Sequence, residues 1–149
     1  AEALVELLGE DGPQRAFPVG APLRIRVRGA AGAAAEALTV GFAIRDRLGG
    51  EGFGTNTFHL GAPALPLATG EGFEAEFSLP LQIGVGSYSL TVALHVGANH
   101  VEGNYDWWDE VVTFQVIPGR EPVFVGAAYL PTTVRFERGV AAAEPEESA

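Results

Sequence analysis

The sequence contains no cysteine and no methionine. The first absence removes disulfides, thiolate nucleophiles, iron–sulfur clusters and cysteine-based zinc sites together, and it fits a reducing compartment. The second means that even an initiator is missing, so Ala1 is expected to be a boundary within a longer polypeptide. Long apolar runs are missing too. Although 47% of the residues are hydrophobic, no run approaches the ~18 residues that a membrane span needs. The opening AEALVELLGEDG has neither a cationic region nor a cleavage signal, which predicts a soluble, untargeted chain. Cations are scarce: 9 Lys plus Arg stand against 19 Asp plus Glu, a formal net charge of −10. The resulting field repels phosphate backbones and anionic membranes, and argues against nucleic acid or acidic lipid as a partner.

What is present points to strands. A chain of 149 residues is read as one domain, long enough to bury a core without a structural metal. It carries 20 glycines and 10 prolines, well above ordinary usage, and this punctuation suits many short strands. Period-two alternation recurs from end to end, whereas no stretch sustains the i, i+3, i+4, i+7 pattern of a helix. The predicted fold is therefore an all-β, antiparallel sandwich. Strands are expected at about 4–8, 23–28, 38–47, 52–58, 73–79, 88–96 and 108–117, with a terminal pair at 123–125 and 133–137. Turns fall at Asp11-Gly12-Pro13, Gly49-Gly50, Gly70-Glu71-Gly72, Pro80, Gly84 to Gly86 and Pro118-Gly119, where glycine allows positive φ and proline removes a ladder donor. The Ala/Gly run 29–35 is expected to be a loop. Residues 1–138 form the expected domain, with 118–138 as linker and exchanged strand, and 139–149 as a disordered acidic tail.

Alternation also assigns faces. Leu23, Ile25 and Val27 oppose Arg24, Arg26 and Arg28; Phe73, Ala75, Phe77 and Leu79 oppose Glu74, Glu76 and Ser78. If these two strands are neighbours, their outer faces make a cross-strand charge ladder. In the middle strands Val40, Phe42 and Ile44, then Tyr88, Leu90, Val92 and Leu94, then Val112, Phe114 and Val116 point inward as one core. Their outward sets are Thr39, Gly41, Ala43 and Arg45; Ser89, Thr91, Ala93 and His95; and Val111, Thr113 and Gln115. A face with so few long side chains leaves room for a shallow trough. It can equally be a solvated surface that is Thr- and Ser-rich for strand propensity.

The densest polar and aromatic cluster is HVGANHVEGNYDWWD, residues 95–109, expected in a loop leaving the sandwich edge. Asn99, His100, Glu102, Asn104, Tyr105, Asp106, Trp107, Trp108 and Asp109 offer planar donors and acceptors for hydroxyl pairs and flat rings for the apolar face of a sugar. One of the adjacent tryptophans can instead be core. A metal reading would use His95, His100, Glu102, Asp106 and Asp109, but neither HExxH nor EF-hand spacing occurs, so no metal or other cofactor is expected. Glu102 with Asp106 could be imagined as an acid and base, although loop spacing sets no carboxyl separation. A serine nucleophile has no elbow motif, and the Gly49 to Gly52 run lacks the Lys and helix of a phosphate loop. A second cluster, FGTNTFH at 53–59, offers Thr55, Asn56 and Thr57 either to hydroxyls or to a bulge or corner of the backbone.

Taken together, GFAIRDRLG-GEGFGTNT, GSYSLTVALH and NYDWWDEVVTFQV resemble the C-terminal carbohydrate-binding domain of Wzt, the nucleotide-binding subunit of ABC transporters that export bacterial O-antigen polysaccharide. The similarity runs over about 4–138. It implies an immunoglobulin-like β-sandwich, a cytoplasmic setting, an ATPase portion elsewhere in the same chain, and a membrane-spanning transporter subunit as partner. It also implies a homodimer in which a C-terminal strand crosses between subunits, and recognition of the polysaccharide, often at its non-reducing end. The reading is a non-catalytic lectin-like module whose carbohydrate-binding residues are Thr39, Gly41, Ala43, Arg45, Asn56, Thr91, Ala93, His95, His100, Asn104, Tyr105, Asp106, Trp107, Thr113 and Gln115. Its alternative is a dimerisation module that does not itself bind glycan.

Overall fold

The computed structural model describes residues 2–30, 35–63, 65–96 and 104–139, and for 2–3, 35–36, 65, 96 and 104–111 the backbone course alone. Ten strands follow in chain order: β1 (Glu2–Gly9), β2 (Gly12–Pro13), β3 (Ala16–Pro18), β4 (Pro22–Ala30), β5 (Ala35–Asp46), β6 (Glu51–Asn56), β7 (Leu65–Leu67), β8 (Gly72–Pro80), β9 (Gly86–Val96) and β10 (Asn104–Ile117). They form two sheets, β2-β1-β4-β8 and β3-β10-β9-β5-β6, with β7 also pairing β5. Every pair is antiparallel except β3 with β10, where Val116 lies opposite Phe17 in parallel.

The inward sets expected from alternation meet between the sheets. Leu23, Ile25, Val27, Phe73 and Phe77 of the first sheet pack against Val40, Phe42, Ile44, Leu90, Val92, Leu94, Val112, Phe114 and Val116 of the second. Each such fully buried side chain contributes roughly 1.5–3 kcal/mol of transfer free energy. Phe42 and Phe77 join the two layers edge to face, 4.8 Å between ring centres. Phe17 does the same for the parallel strand, 6.2 Å from Phe114, which anchors β3 despite its three residues.

The expected charge ladder forms because β4 lies between β1 and β8 in the first sheet. Arg26 pairs in register with Glu6 and Glu76, and its guanidinium lies 3.4 Å from Glu76 and 4.0 Å from Glu6. Arg28 sits 2.9 Å from Glu6 and 3.2 Å from Glu74.

Three expectations change. The strands reach into the Ala/Gly run, β4 ending at Ala30 and β5 starting at Ala35. Asn104 to Asp109 are not loop but the first part of β10, with Asn104 to Trp108 paired to β9, because ladder bonds override the turn preference of Asn and Asp. Residues 123–125 and 133–137 form no strands. Pro122 and Pro131 withhold donors there, and the only regular pairing after β10 among the described residues is the bridge between Ile83 and Ala128. Around it Gly84 N–H donates to the Ala127 carbonyl at 2.9 Å and Tyr129 N–H to Gln82 at 2.8 Å. Phe124 and Tyr129 pack together against the core. Beyond them the chain projects, with Val134 85% and Phe136 96% exposed. Residues 140–149, all of the expected acidic tail but its first residue, lie outside the described residues.

Candidate functional site

The outward face of the second sheet is built by antiparallel register, which lines residues of β6, β5, β9 and β10 into rows. One row runs Asn56, Gly41, Ala93, Trp107; the next runs Thr39, His95, Tyr105; a third, on the other side, is Gly54, Ala43, Thr91; a fourth is Arg45, Ser89, Thr113, followed by the pair Ser87 and Gln115. Twelve of the candidate binding residues thus share one face or its rows. Asn104 and Asp106 do not: their register positions fall opposite Val96 and Leu94, in the rows of Leu38 and Val40, which are core. Trp108 likewise falls in the row of Val92 and Phe42, so register separates the adjacent tryptophans, Trp107 into the outer row and Trp108 into the core row. His100 lies outside the described residues.

An open trough along the whole face is not what the structure shows. Thr39, Thr91, Ala93 and His95 are between 1% and 4% exposed, and Ala43 is 9% exposed. Alternation tells which way a residue faces but not what shields it. At Gly41 an added Cβ would lie 3.1 Å from the Asn56 Cβ and 3.2 Å from the Thr55 carbonyl, so even the glycine row is closely walled.

The face opens at its Arg45 end. A cleft of about 630 Å³ is lined there by Arg45, Asp46, Arg47, Gly49, Ser87, Tyr88, Ser89, Thr91 and Thr113. It shares Ser87 and Thr113 with a second depression of about 390 Å³, lined also by Arg15, Ala16, Phe114 and Gln115. The combined groove crosses the strands from the β5–β6 turn to β3. Of the candidate residues, Arg45, Thr91, Thr113 and Gln115 line it. The sequence places Ser89 and Tyr88 on the right strand, and the structure adds them to the site. Ser87 continues the outward alternation of Ser89 and could have been read from it. Arg15, Asp46, Arg47 and Gly49 had no such signal, because only the fold brings the turn and β3 beside β9 and β10.

Local bonding fixes the cleft walls. Asp46 Oδ1 accepts the N–H groups of Leu48 and Gly50 at 2.9 and 2.8 Å, an Asx-type closure of a turn that Gly49 completes at φ 87°. Arg45 is held 3.4 Å from Glu51, and Arg15 donates to the Thr113 carbonyl at 3.3 Å. The Tyr88 hydroxyl donates to the Gly84 carbonyl at 2.7 Å while its ring stacks on Phe114, 5.7 Å between centres. Burial, and then the Asp46 carboxylate, hold that phenol above its ordinary pKa, so it stays a neutral donor.

The FGTNTFH cluster resolves toward backbone work at two positions. Asn56 Oδ1 accepts the His59 N–H at 2.7 Å, and Thr57 Oγ1 accepts the Val40 N–H at 3.1 Å. Among the described residues no group of three or more His, Asp or Glu is arranged to hold a metal ion. What the groove offers is serine and threonine hydroxyls and planar guanidinium groups, a donor and acceptor set matched to neighbouring hydroxyls of a polyol.

No curated protein matches the chain. Among solved structures, the chain is similar to the crystal structure of the C-terminal domain of Wzt, with a TM-score of 0.77, 15% sequence identity, and coverage of 91% of this chain and 84% of that one; at this identity the likeness concerns the fold. The family model described as the Wzt C-terminal domain matches residues 4–130, and with that span the chain belongs to the Wzt C-terminal domain family.

Proposed function

We propose that this domain binds O-antigen polysaccharide without catalysis, at its non-reducing end, and so selects it for export by an ABC transporter. The groove over β5, β9, β10 and β3 carries the reading: hydroxyl and guanidinium groups line a surface cleft of about 630 Å³, and the Asp46 to Gly50 turn walls one end, where a chain terminus can stop. The family adds the setting, an ATPase portion in the same polypeptide and a membrane-spanning transporter subunit at the cytoplasmic face of the inner membrane. A few hydroxyl hydrogen bonds exchanged with water, each worth about 1 kcal/mol net, give micromolar to millimolar affinity, weak enough for release during export.

Isothermal titration with the source organism's own O-polysaccharide, against an unrelated one, tests this. Ser89→Arg places a long cation across the cleft floor, whereas Ala93 is too buried for an informative substitution. Binding of the cognate polysaccharide by the native chain and its loss in a Ser89→Arg variant of unchanged circular dichroism is the expected result. Equal titration of both polysaccharides would remove the selective role.

A second reading, a dimerisation module, is favoured by the apolar C-terminal segment, in which Val123, Val125, Leu130, Val134 and Phe136 are 74–100% exposed. The two readings are compatible, and the domain as proposed is a homodimer held through that segment.

A further inference from the structure

The chain has no lysine, so all 9 of its cationic side chains are arginines, set against 19 acidic residues. The two sheets engage them differently. On the first, Arg24, Arg26 and Arg28 each have a glutamate within 4.0 Å. On the second, Arg15, Arg45 and Arg47 line the groove, where Asp46 is the only carboxylate among the described lining residues. Its Oδ1 is already occupied by the N–H groups of Leu48 and Gly50. Among the described residues Arg15 and Arg47 make no ion pair, and Glu51, the partner of Arg45, is 72% exposed at its side chain. In a molecule with a formal net charge of −10, the groove reverses the sign locally.

The cations stand at opposite ends of one row. Arg45 on β5 lies opposite Ser89 on β9, which lies opposite Thr113 on β10. The Arg45 guanidinium reaches back toward β6, 3.4 Å from Glu51, with Arg47 in the adjoining turn. At the other end Arg15 reaches the Thr113 carbonyl at 3.3 Å. Because β5 and β9 lie between β6 and β10, three strand spacings of ~4.8 Å set the two cationic ends about 14 Å apart. One anionic group cannot meet both. Neutral hydroxyls are bonded as well by serine, threonine and glutamine, which the groove already holds, whereas a guanidinium fork matches the two oxygens of a carboxylate.

Resting on the polysaccharide-binding reading above, we propose that the glycan taken by this groove is acidic, with carboxylate-bearing sugars recurring along it. One carboxylate meets Arg45 and Arg47, a second meets Arg15, and the hydroxyls of Ser89 and Thr113 bond the sugars between them. Glu51 competes with the ligand for Arg45 and so holds the affinity down. The acidic surface around the groove repels the same glycan, which confines attraction to contact distance and makes it sensitive to salt.

The test titrates the full chain with the source organism's own O-polysaccharide at 0.05 and 0.5 M salt, then with the same polysaccharide after its carboxyls are reduced to alcohols. Arg15→Gln, Arg45→Gln, their double variant and Glu51→Gln are titrated alongside, with circular dichroism to verify folding. Affinity is expected to fall about tenfold across the salt range and at least as far on carboxyl reduction. Each arginine variant should weaken binding about three- to tenfold, and the double variant by the product of the two, since sites this far apart act independently. Glu51→Gln should tighten binding several-fold, a gain that misfolding cannot produce. Weakening by salt and by the arginine variants, but not by carboxyl reduction, overturns the carboxylate and assigns the charge to phosphate. An effect at one arginine alone overturns the recurrence. Binding indifferent to salt, reduction and all four variants overturns the acidic ligand and leaves the polysaccharide reading standing; no binding of the untreated polysaccharide overturns both.

Discussion

Gly84 sits where the C-terminal segment crosses the linker between β8 and β9, and an added Cβ there would lie 2.6 Å from the Gly126 carbonyl oxygen. Backbone cannot rotate away as a flexible side chain can. Gly84→Ala is therefore expected to lower stability by roughly 1–3 kcal/mol, the range for overpacking, with faster amide exchange at Tyr129 than in the native chain, read by thermal unfolding and hydrogen exchange. Nearby Tyr88 makes a pH prediction. Its pKa in the fold is raised above the ordinary 10.0, first by burial and second by Asp46, so the protonated form is the one the fold favours. That contribution is fully present below about pH 10 and is lost above it, as the unfolded chain ionises first. Melting temperature should fall more steeply above pH 10 in the native chain than in Tyr88→Phe; parallel curves would show that another group governs the alkaline loss.

Among elements, the β1-β4-β8 ladder rests on Arg26, which meets Glu6, Glu74 and Glu76, and on Arg28, which meets Glu6 and Glu74. Such pairs are partly exposed and individually weak. Arg26→Ala is expected to cost about 1 kcal/mol or less, and the cost should shrink as salt rises from 0.05 to 1 M, measured by urea unfolding. The long strands were legible in the sequence because each sets apolar residues at every second position, as Leu23, Ile25, Val27 do. The short ones were not. Gly12–Pro13, Ala16–Pro18 and Leu65–Leu67 contain too few residues to show a period, and β3 is fixed by Phe17 against Phe114, a contact no local pattern reveals. The same holds for the candidate site. Alternation found Arg45, Thr91, Thr113 and Gln115, but the burial of Ala93 and His95 and the arrival of Arg15 depend on which strands become neighbours.

At the scale of the molecule, the C-terminal segment divides at Leu130 into a packed part and a projecting part. Phe124 and Tyr129 cover the core, whereas the arm beyond covers nothing of its own sandwich. Truncation after Leu130 is expected to leave a folded monomer with nearly native melting temperature. Truncation after Gly119 uncovers the ground beneath Phe124 and Tyr129, and should lower the melting temperature by several degrees or give aggregates; light scattering with calorimetry distinguishes the two products. If the shorter cut were as stable as the longer one, the packing of Phe124 and Tyr129 would count for little.

The parallel pairing of β3 with β10 also has a consequence in time. Arg15 and the Thr113 carbonyl it meets are 98 residues apart in the chain, so the groove they share cannot close until β10 has been synthesised; non-local pairings of this kind form late. The first sheet needs nothing beyond Pro80 and can assemble early, with β5 covering part of its apolar face through Phe42 on Phe77, but the rest of that face stays uncovered until β9 and β10 arrive. A nascent chain that has released β8 but not yet β9 and β10 would thus be at its most adhesive, and the groove would form only once both of those strands have emerged.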